Sequence, residues 1–138
     1  MRFFAVIDTN VLVSAAMKPE SVPGKVLELV LDGLIIPIFN KAIMKEYRNV
    51  LLRPKFAFSE QIVTDILNEM SDRGICVDAE RLTVDLPDPK DIVFYEVVME
   101  ERKEEDAYLV TGNIRHFPNK PFIVTPREMI DIILEAVG

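Results

Sequence analysis

Three consecutive polar residues near the start of the chain could bind a ligand. Asp8, Thr9 and Asn10 follow the apolar run Phe3–Ile7 and precede the apolar segment Val11–Val13. A buried strand gains nothing from a carboxylate, a hydroxyl and an amide, because each costs free energy when it is buried without a partner. Ligands of open α/β sheets bind beyond the carboxyl ends of strands, which predicts a site here. The alternative is that Asp8 or Thr9 only caps the segment that follows.

A second candidate carboxylate, Glu46, lies on a predicted helix. Ile43, Tyr47 and Val50 form an apolar stripe at helical spacing, and Glu46 is three residues after Ile43, so it falls on the same stripe. A carboxylate turned toward the core must be paired, hydrogen-bonded or bound to a metal ion. Alternatively, Glu46 lies at the edge of the stripe, reaches water and pairs with Arg53. The helical pattern alone leaves both interpretations open.

The stretch "LPDPKDIVFYEVV" contributes two further acids. Asp88 is predicted to be the N-cap of a helix, which is mainly a structural role, although it could assist at the edge of a site. Asp91 falls in the first helical turn, where the helix dipole favours negative charge. It also precedes Phe94 and Tyr95 by one turn, above the apolar face and near the sheet. We therefore interpret Asp91 as the functional acid of the pair.

The fourth stretch is "AYLVTGNIRHFP", in which a predicted strand ends at Thr111. Thr111 and Asn113 are candidate supporting residues at the carboxyl edge of the sheet, although Asn113 could simply form a turn. Arg115 could contact a phosphate group. His116, the only histidine of the chain, is interpreted as structural or solvated.

Three carboxylates with hydroxyl and amide support form a ligand set made of oxygen atoms. Asp8, Glu46 and Asp91 would therefore select Mg²⁺ or Mn²⁺ rather than zinc, which prefers histidine or cysteine. One or two such ions could assist the hydrolysis of a phosphodiester bond, two ions lying roughly 4 Å apart. Carboxylates placed together without a cation would raise one another's pKa values. Neither a Ser–His–Asp pattern nor a phosphate-binding glycine loop is present.

The elements that must position these residues alternate along the chain. Short apolar runs without strict alternation predict strands that are buried on both faces. These runs are "FFAVI", "LIIPIF", "GICV", "AYLVT" and "PFIVT". Helices are predicted at 21–33, 40–54, 59–74, 88–103 and 125–137, each with cap or stop residues. The alternation predicts a three-layer α/β/α domain with a mainly parallel sheet.

The composition fits one soluble globular domain spanning residues 1–138. A net charge of −7 argues against a general nucleic-acid coat or a membrane surface, but not against a nucleic-acid enzyme that uses metal ions. The single cysteine, Cys76, is predicted to be a buried, inert thiol, and the charged run at 99–106 to be a solvated helix end. No signal peptide or membrane span is apparent, so the expected location is the cytoplasm.

Taken in order, the stretches "IDTNVLVSA", "KEYRNVLLRPKF", "DPKDIVFYEVV" and "YLVTGNIRHFP" resemble the motifs of PIN-domain proteins over nearly the whole chain. The resemblance is to the subgroup of toxin components from bacterial and archaeal toxin–antitoxin systems. It implies a metal-dependent endoribonuclease with a five-stranded parallel sheet, a homodimer and a small antitoxin partner. Asp8, Glu46 and Asp91 would occupy the family's first three acidic positions. Asn113 departs from the aspartate that many members have, which leaves the number of metal ions open.

Two other classes of function are compatible with the sequence. The first is a non-catalytic PIN module that binds RNA or another protein, which Asn113 and the acidic net charge would favour. The second is a phosphatase with Asp8 as the nucleophile. Phosphatases of the haloacid dehalogenase type, which such an enzyme would resemble, need a second aspartate two residues later. Asn10 occupies that position and cannot act as a general acid, so this hypothesis ranks last.

Overall fold

The computed structural model describes residues 1–138 and contains a five-stranded sheet and six α-helices. The strands are short and, apart from the edge strand β3, mostly buried: β1 (Phe3–Ile7), β2 (Ile35–Phe39), β3 (Ile75–Cys76), β4 (Tyr108–Val110) and β5 (Ile123–Val124). The helices are α1 (Thr9–Met17), α2 (Val22–Leu31), α3 (Lys41–Leu51), α4 (Glu60–Arg73), α5 (Ile92–Glu101) and α6 (Pro126–Val137). The predicted strand at 121–125 is confirmed, because β5 pairs with β4.

The strand order is β3-β2-β1-β4-β5, and every pair is parallel. The chain builds outward from β1 to β2 and β3, and then returns to add β4 and β5 on the other side. The order therefore reverses between β1 and β4, which is where open α/β sheets bind ligands. At this point the backbone N–H of Asp8 donates to the carbonyl of Val110 at 2.9 Å. The end of β1 is thereby held beside the end of β4.

Helices cover the sheet in two groups, which confirms the predicted three-layer α/β/α architecture. Helix α5 packs directly on β1, β2 and β4. Helix α2 packs on β2 and on its neighbours α1, α4 and α6. Because both faces of the sheet are covered, all five residues of β2 are buried. None of the six helices is both long and apolar enough to span a membrane.

The helix ends follow the residues that the sequence offers for capping. The side chains of Asn40, Ser59 and Thr125 accept hydrogen bonds from the first turns of α3, α4 and α6. Gly33, just beyond α2, has φ +87°, a left-handed conformation that glycine adopts without strain. The predicted helix starting at Asp88 begins as a 3₁₀ turn, Pro89–Asp91, and becomes α-helical at Ile92.

Removing the cap of α6 is expected to lower the stability of the protein. The Thr125 hydroxyl accepts from the N–H of Glu128 at 3.1 Å, and the Glu128 carboxylate accepts from the N–H of Thr125 at 2.9 Å. We expect Thr125→Ala to lower the free energy of unfolding by about 1 kcal/mol, as measured by urea denaturation. Thr83→Ala is the matched control, because Thr83 is exposed. Equal stabilities of the two variants would contradict this assignment.

One sequence prediction about a side chain is wrong, and the prediction of a solvated helix end at 99–106 holds for residues 102–106 but not for Glu101. Cys76 is exposed rather than buried, because β3 has two residues and lies at the edge of the sheet. The end of α5 is not wholly solvated: Glu101 is 6% exposed, and its Oε2 atom has no hydrogen-bond partner. Burial, and secondarily the acids Glu105 and Glu104, raise the pKa of Glu101. Neither position can be distinguished from its neighbours by hydrophobic pattern alone.

Candidate active site

A cleft of about 430 Å³ opens at the carboxyl ends of β1 and β4. The structure brings seven of the nine predicted site residues to its lining: Asp8, Thr9, Asn10, Glu46, Asp88, Asp91 and Asn113. The remaining lining residues are Val13, Ser14, Val50, Phe56, Lys90 and His116. Two predicted site residues, Thr111 and Arg115, are missing from the lining. Thr111 lies just behind the cleft, where it contacts Asp8, whereas Arg115 lies outside the cleft.

Asp8 is the most buried acid of the cleft, at 6% exposure. It occupies the N-cap position of α1, but its side chain makes no capping hydrogen bond. Its Oδ2 atom instead accepts from the hydroxyl of Thr111 at 2.7 Å. The interpretation of Asp8 as merely a helix cap is therefore wrong. Thr9, the alternative cap, is the first residue of α1, so the helix has no side-chain cap at its start.

The pKa of Asp8 is raised from 3.8 to about 6. Burial is the largest cause, because the charged form loses its hydration. The hydrogen bond from Thr111 acts in the opposite direction, while the negative charges of Asp91 and Glu46 raise the pKa further. The ionised form of Asp8 is thus repelled by the two other carboxylates. A cation in the cleft would relieve this repulsion and favour the ionised form.

Thr111 holds the loop after β4 against the start of α1. Its hydroxyl donates to Asp8 and accepts from the N–H of Asn113 at 3.0 Å. Nearby, the side-chain oxygen of Asn10 accepts from the N–H of Gly112 at 3.2 Å. Through these bonds, the side chain of Asn10 and the hydroxyl of Thr111 hold the loop after β4 in position. The side chain of Asn113 is exposed and lines the cleft.

Glu46 projects from α3 into the cleft and is half-buried. Its Oε2 atom accepts a hydrogen bond from the hydroxyl of Thr9, which connects α3 to the start of α1. It forms no ion pair with Arg53, which is exposed. The pairing of Glu46 with Arg53 that the alternative included is therefore wrong.

The adjacent residue, Tyr47, is fully buried and fixes α3 to the sheet. Its hydroxyl donates to the backbone carbonyl of Ile7, the last residue of β1. Burial, followed by the charges of Asp8 and Glu46, raises the Tyr47 pKa well above its usual value. The phenol consequently stays protonated and remains a donor. From the sequence, Tyr47 was predicted only to be part of the apolar stripe of its helix.

Asp88 and Asp91 enter the cleft from the 3₁₀ turn before α5. Asp88 caps that turn, since its Oδ1 atom accepts from the N–H of Lys90 at 3.0 Å. The Oδ2 atom of Asp91 lies 3.1 Å from Nδ1 of His116. Burial raises the pKa of Asp91, and the hydrogen bond from His116 lowers it. This role of His116 was not predicted from the sequence, since its partner is 25 residues away.

Replacing His116 should change the titration of Asp91. We expect His116→Ala to raise the pKa of Asp91, because burial would then act without the hydrogen bond that opposes it. Carboxyl NMR titration of the metal-free protein measures this directly. The control is Thr83→Ala, a substitution at an exposed residue outside the cleft, which should leave the Asp91 titration unchanged. An unchanged or lower pKa for Asp91 would show that the His116 contact does not form in solution.

The cleft is acidic, because four carboxylates line it and Lys90 is the one lysine or arginine among the lining residues. No three His, Cys, Asp or Glu side chains are grouped closely enough to hold a metal ion among them. The chemistry of the donor set nevertheless fits Mg²⁺ or Mn²⁺, which keep several waters and are bound through one or two carboxylates plus substrate phosphate. The mutual effect of Asp8, Glu46 and Asp91 on the Asp8 pKa supports this fit.

The part of the chain that carries these residues is similar to a known protein family. A family model described as "PIN domain" matches residues 5–115. The chain is 28% identical over 142 residues to an uncharacterized protein of Methanocaldococcus jannaschii, with 91% of this chain and 88% of that protein covered. No solved structure matches the chain significantly. The matched range 5–115 includes every predicted site residue from Asp8 to Arg115.

Proposed function

Because the chain belongs to the PIN domain family, we propose that it is a metal-dependent endoribonuclease that hydrolyses phosphodiester bonds of RNA. PIN domains are generally nucleases, and they typically use divalent metal ions. The observation that carries the proposal is the shared cleft, in which Asp8, Glu46 and Asp91 arrive from three separate elements. The carboxylates are near enough to raise the pKa of Asp8.

Asp8, Glu46 and Asp91 would hold the metal ion or ions. When bound, a divalent cation supplies the positive charge that offsets these carboxylates and stabilises the phosphate charge during hydrolysis. Thr111 orients the carboxylate of Asp8, and Thr9 orients that of Glu46. Such supporting hydrogen bonds restrict the rotation of ligands and keep them in position for the ion.

His116 and the neighbouring cleft residues have distinct roles in the proposal. His116 fixes the orientation of Asp91 through its Nδ1 contact. Lys90 lines the cleft and can attract the anionic substrate. Asp88 assists from the edge of the cleft, where its Oδ1 atom accepts from the backbone N–H of Lys90. Asn113 supplies an uncharged amide, so the cleft has one negative charge fewer than with an aspartate there.

The direct test is cleavage of single-stranded RNA by the purified protein in the presence of Mg²⁺ or Mn²⁺. We expect cleavage that EDTA stops and that Mn²⁺ restores. A copy with Asp8→Asn, purified identically, excludes contaminating nuclease. Cleavage that persists in EDTA, or that is equal in both proteins, would contradict the proposal.

Binding of Mn²⁺ should weaken as the pH falls through about 6. The ion must displace the proton from Asp8, whose pKa is about 6 in the metal-free protein. We therefore expect about tenfold weaker binding at pH 5 than at pH 7, measured by calorimetry. The raised pKa of Asp91 acts in the same direction. Binding that does not depend on pH would place the ion away from these two acids.

A second candidate function is a non-catalytic module that binds RNA or a protein. Two observations favour it. Asn113 stands where many PIN domains have an aspartate, and no three side chains form a preformed metal-binding group. The same calorimetry separates the two candidates, since this alternative expects no heat from Mn²⁺ at millimolar concentration. The phosphatase hypothesis receives no support, because the amide of Asn10 is engaged with Gly112.

We also propose that the nuclease is the toxin of a toxin–antitoxin pair, with a homodimeric form and a small antitoxin as its partner. The support for this is the likeness of the four sequence stretches to such toxins. Light scattering of the purified protein measures the oligomeric state. Co-purification with the product of an adjacent short reading frame would support the antitoxin, and RNA cleavage that this product does not inhibit would argue against it.

A further inference from the structure

A second depression, hereafter the η groove, adjoins the cleft and has a volume of about 320 Å³. It is lined by residues of the segment 114–120, among them Arg115 and Lys120, and by Ile123 of β5. The 3₁₀ turn Ile114–His116 separates the two depressions. His116 lines the cleft, whereas Ile114 and Arg115 line the η groove. A polymer that leaves the cleft over this turn would therefore enter the η groove.

The charge of the η groove is opposite to that of the cleft. No aspartate or glutamate lines it, whereas four acids line the cleft. Arg115 and Lys120 are exposed and form no ion pair. In a protein with a net charge of −7, two unpaired basic side chains beside an acidic cleft create a local site for anions. The side chain of Ile114, 43% exposed, adds apolar surface at the rim.

We propose that the η groove binds the phosphate backbone of a single RNA strand next to the nucleotide in the cleft. This inference rests on the proposed nuclease function and specifies how the substrate lies. Arg115 and Lys120 would each neutralise one phosphate, which positions the strand without reading its sequence. The groove volume of about 320 Å³ suits one strand, whereas recognition of duplex RNA spreads over a wide surface.

The test is the salt dependence of RNA binding. A labelled single strand of about 12 nucleotides, a length typical of such sites, is titrated with full-length protein in EDTA, and anisotropy gives the affinity. For single strands each phosphate contact contributes about 0.7 to the slope of log affinity against log salt. Arg115→Ala with Lys120→Ala should therefore reduce the slope by about 1.4, or about 25-fold in affinity at 0.1 M salt. Arg115→Glu with Lys120→Glu should weaken binding further.

The matched control is Arg2→Ala with Lys18→Ala. Both residues are exposed; Arg2 precedes the central strand β1 and Lys18 follows α1, and neither lines the cleft or the η groove. This control should bind as wild type does. An unchanged slope in the Arg115 and Lys120 variants would overturn the inference and leave the nuclease proposal intact, whereas wild-type protein that neither binds nor cleaves RNA would refute both. A polyglutamate peptide whose binding alone depends on the two cations would assign the groove to an acidic protein and overturn the inference.

Discussion

Replacing Asp8 by asparagine is expected to stop RNA cleavage and, at the same time, to stabilise the metal-free protein at pH 7. Asparagine keeps the shape and can still accept from Thr111, but it lacks the charge that would hold a cation. Loss of several kcal/mol of charge stabilisation in the transition state corresponds to a rate decrease of about 10³-fold or more. Cleavage is measured with excess Mg²⁺ or Mn²⁺.

The gain in stability follows from the raised pKa. Because the pKa of Asp8 rises from 3.8 to about 6 on folding, the folded protein binds the proton more tightly than the unfolded chain does. Ionised Asp8 therefore destabilises the fold, increasingly between about pH 4 and pH 6, by up to about 3 kcal/mol. We expect Asp8→Asn to be more stable than wild type at pH 7 and nearly equal at pH 4, as measured by urea denaturation in EDTA.

A matched control separates this effect from a general loss of negative charge. Asp72 is exposed on α4 and outside the cleft, so Asp72→Asn should leave cleavage and stability close to wild type. A cleavage rate retained by Asp8→Asn would remove Asp8 from the proposed machinery. Lower stability of Asp8→Asn at pH 7 would mean that the carboxylate is not desolvated as the structure indicates.

Replacing Phe94 by alanine is expected to cause a large loss of stability. Phe94 is 1% exposed and lies on α5, the helix that packs on β1, β2 and β4. Removal of a buried phenylalanine ring typically lowers the free energy of unfolding by about 3 to 5 kcal/mol, through lost burial and the cavity that remains. For a chain of this size the melting temperature should fall by about 10 °C or more.

The same substitution should affect function, because Phe94 follows Asp91 by three residues and anchors the start of α5. We expect weaker Mn²⁺ binding even at temperatures where the variant is folded, since Asp91 would lose part of its support. Ile62→Ala is the control for side-chain size, as Ile62 is 53% exposed and should change stability by about 0.5 kcal/mol or less. Equal effects of both substitutions would contradict the assigned burial.

Much of the fold was predictable because local signals and tertiary packing agree. The apolar runs mark strands that are covered on both faces, and cap residues such as Asn40 and Ser59 mark helix starts. Sequence pattern failed where the position of an element in the sheet decides burial. Cys76 has apolar neighbours, yet it is exposed because β3 is a short edge strand.

The candidate site was predictable where a polar residue interrupts or adjoins an apolar pattern. Asp8 and Glu46 interrupt one, Asp91 precedes the apolar face of α5 by one turn, and all three line the cleft. The partners of these residues could not be inferred, because each contact joins distant parts of the chain. His116 is the last residue of the 3₁₀ turn Ile114–His116, and nothing in its sequence neighbourhood indicates Asp91 as its partner. Arg115, on the same turn, lines the η groove and not the cleft.

The hydrogen bond from Thr111 to Asp8 joins residues that are 103 positions apart in the sequence. During biosynthesis it can therefore form only after Thr111 has been synthesised. A nascent chain still attached to the ribosome cannot close this contact until residue 111 has emerged from the exit tunnel. Products of premature termination before that point would lack both the β4 strand and the hydroxyl that orients the carboxylate. The proposed nuclease activity would consequently require synthesis to pass Thr111, even though Asp8, Glu46 and Asp91 all precede it in the sequence.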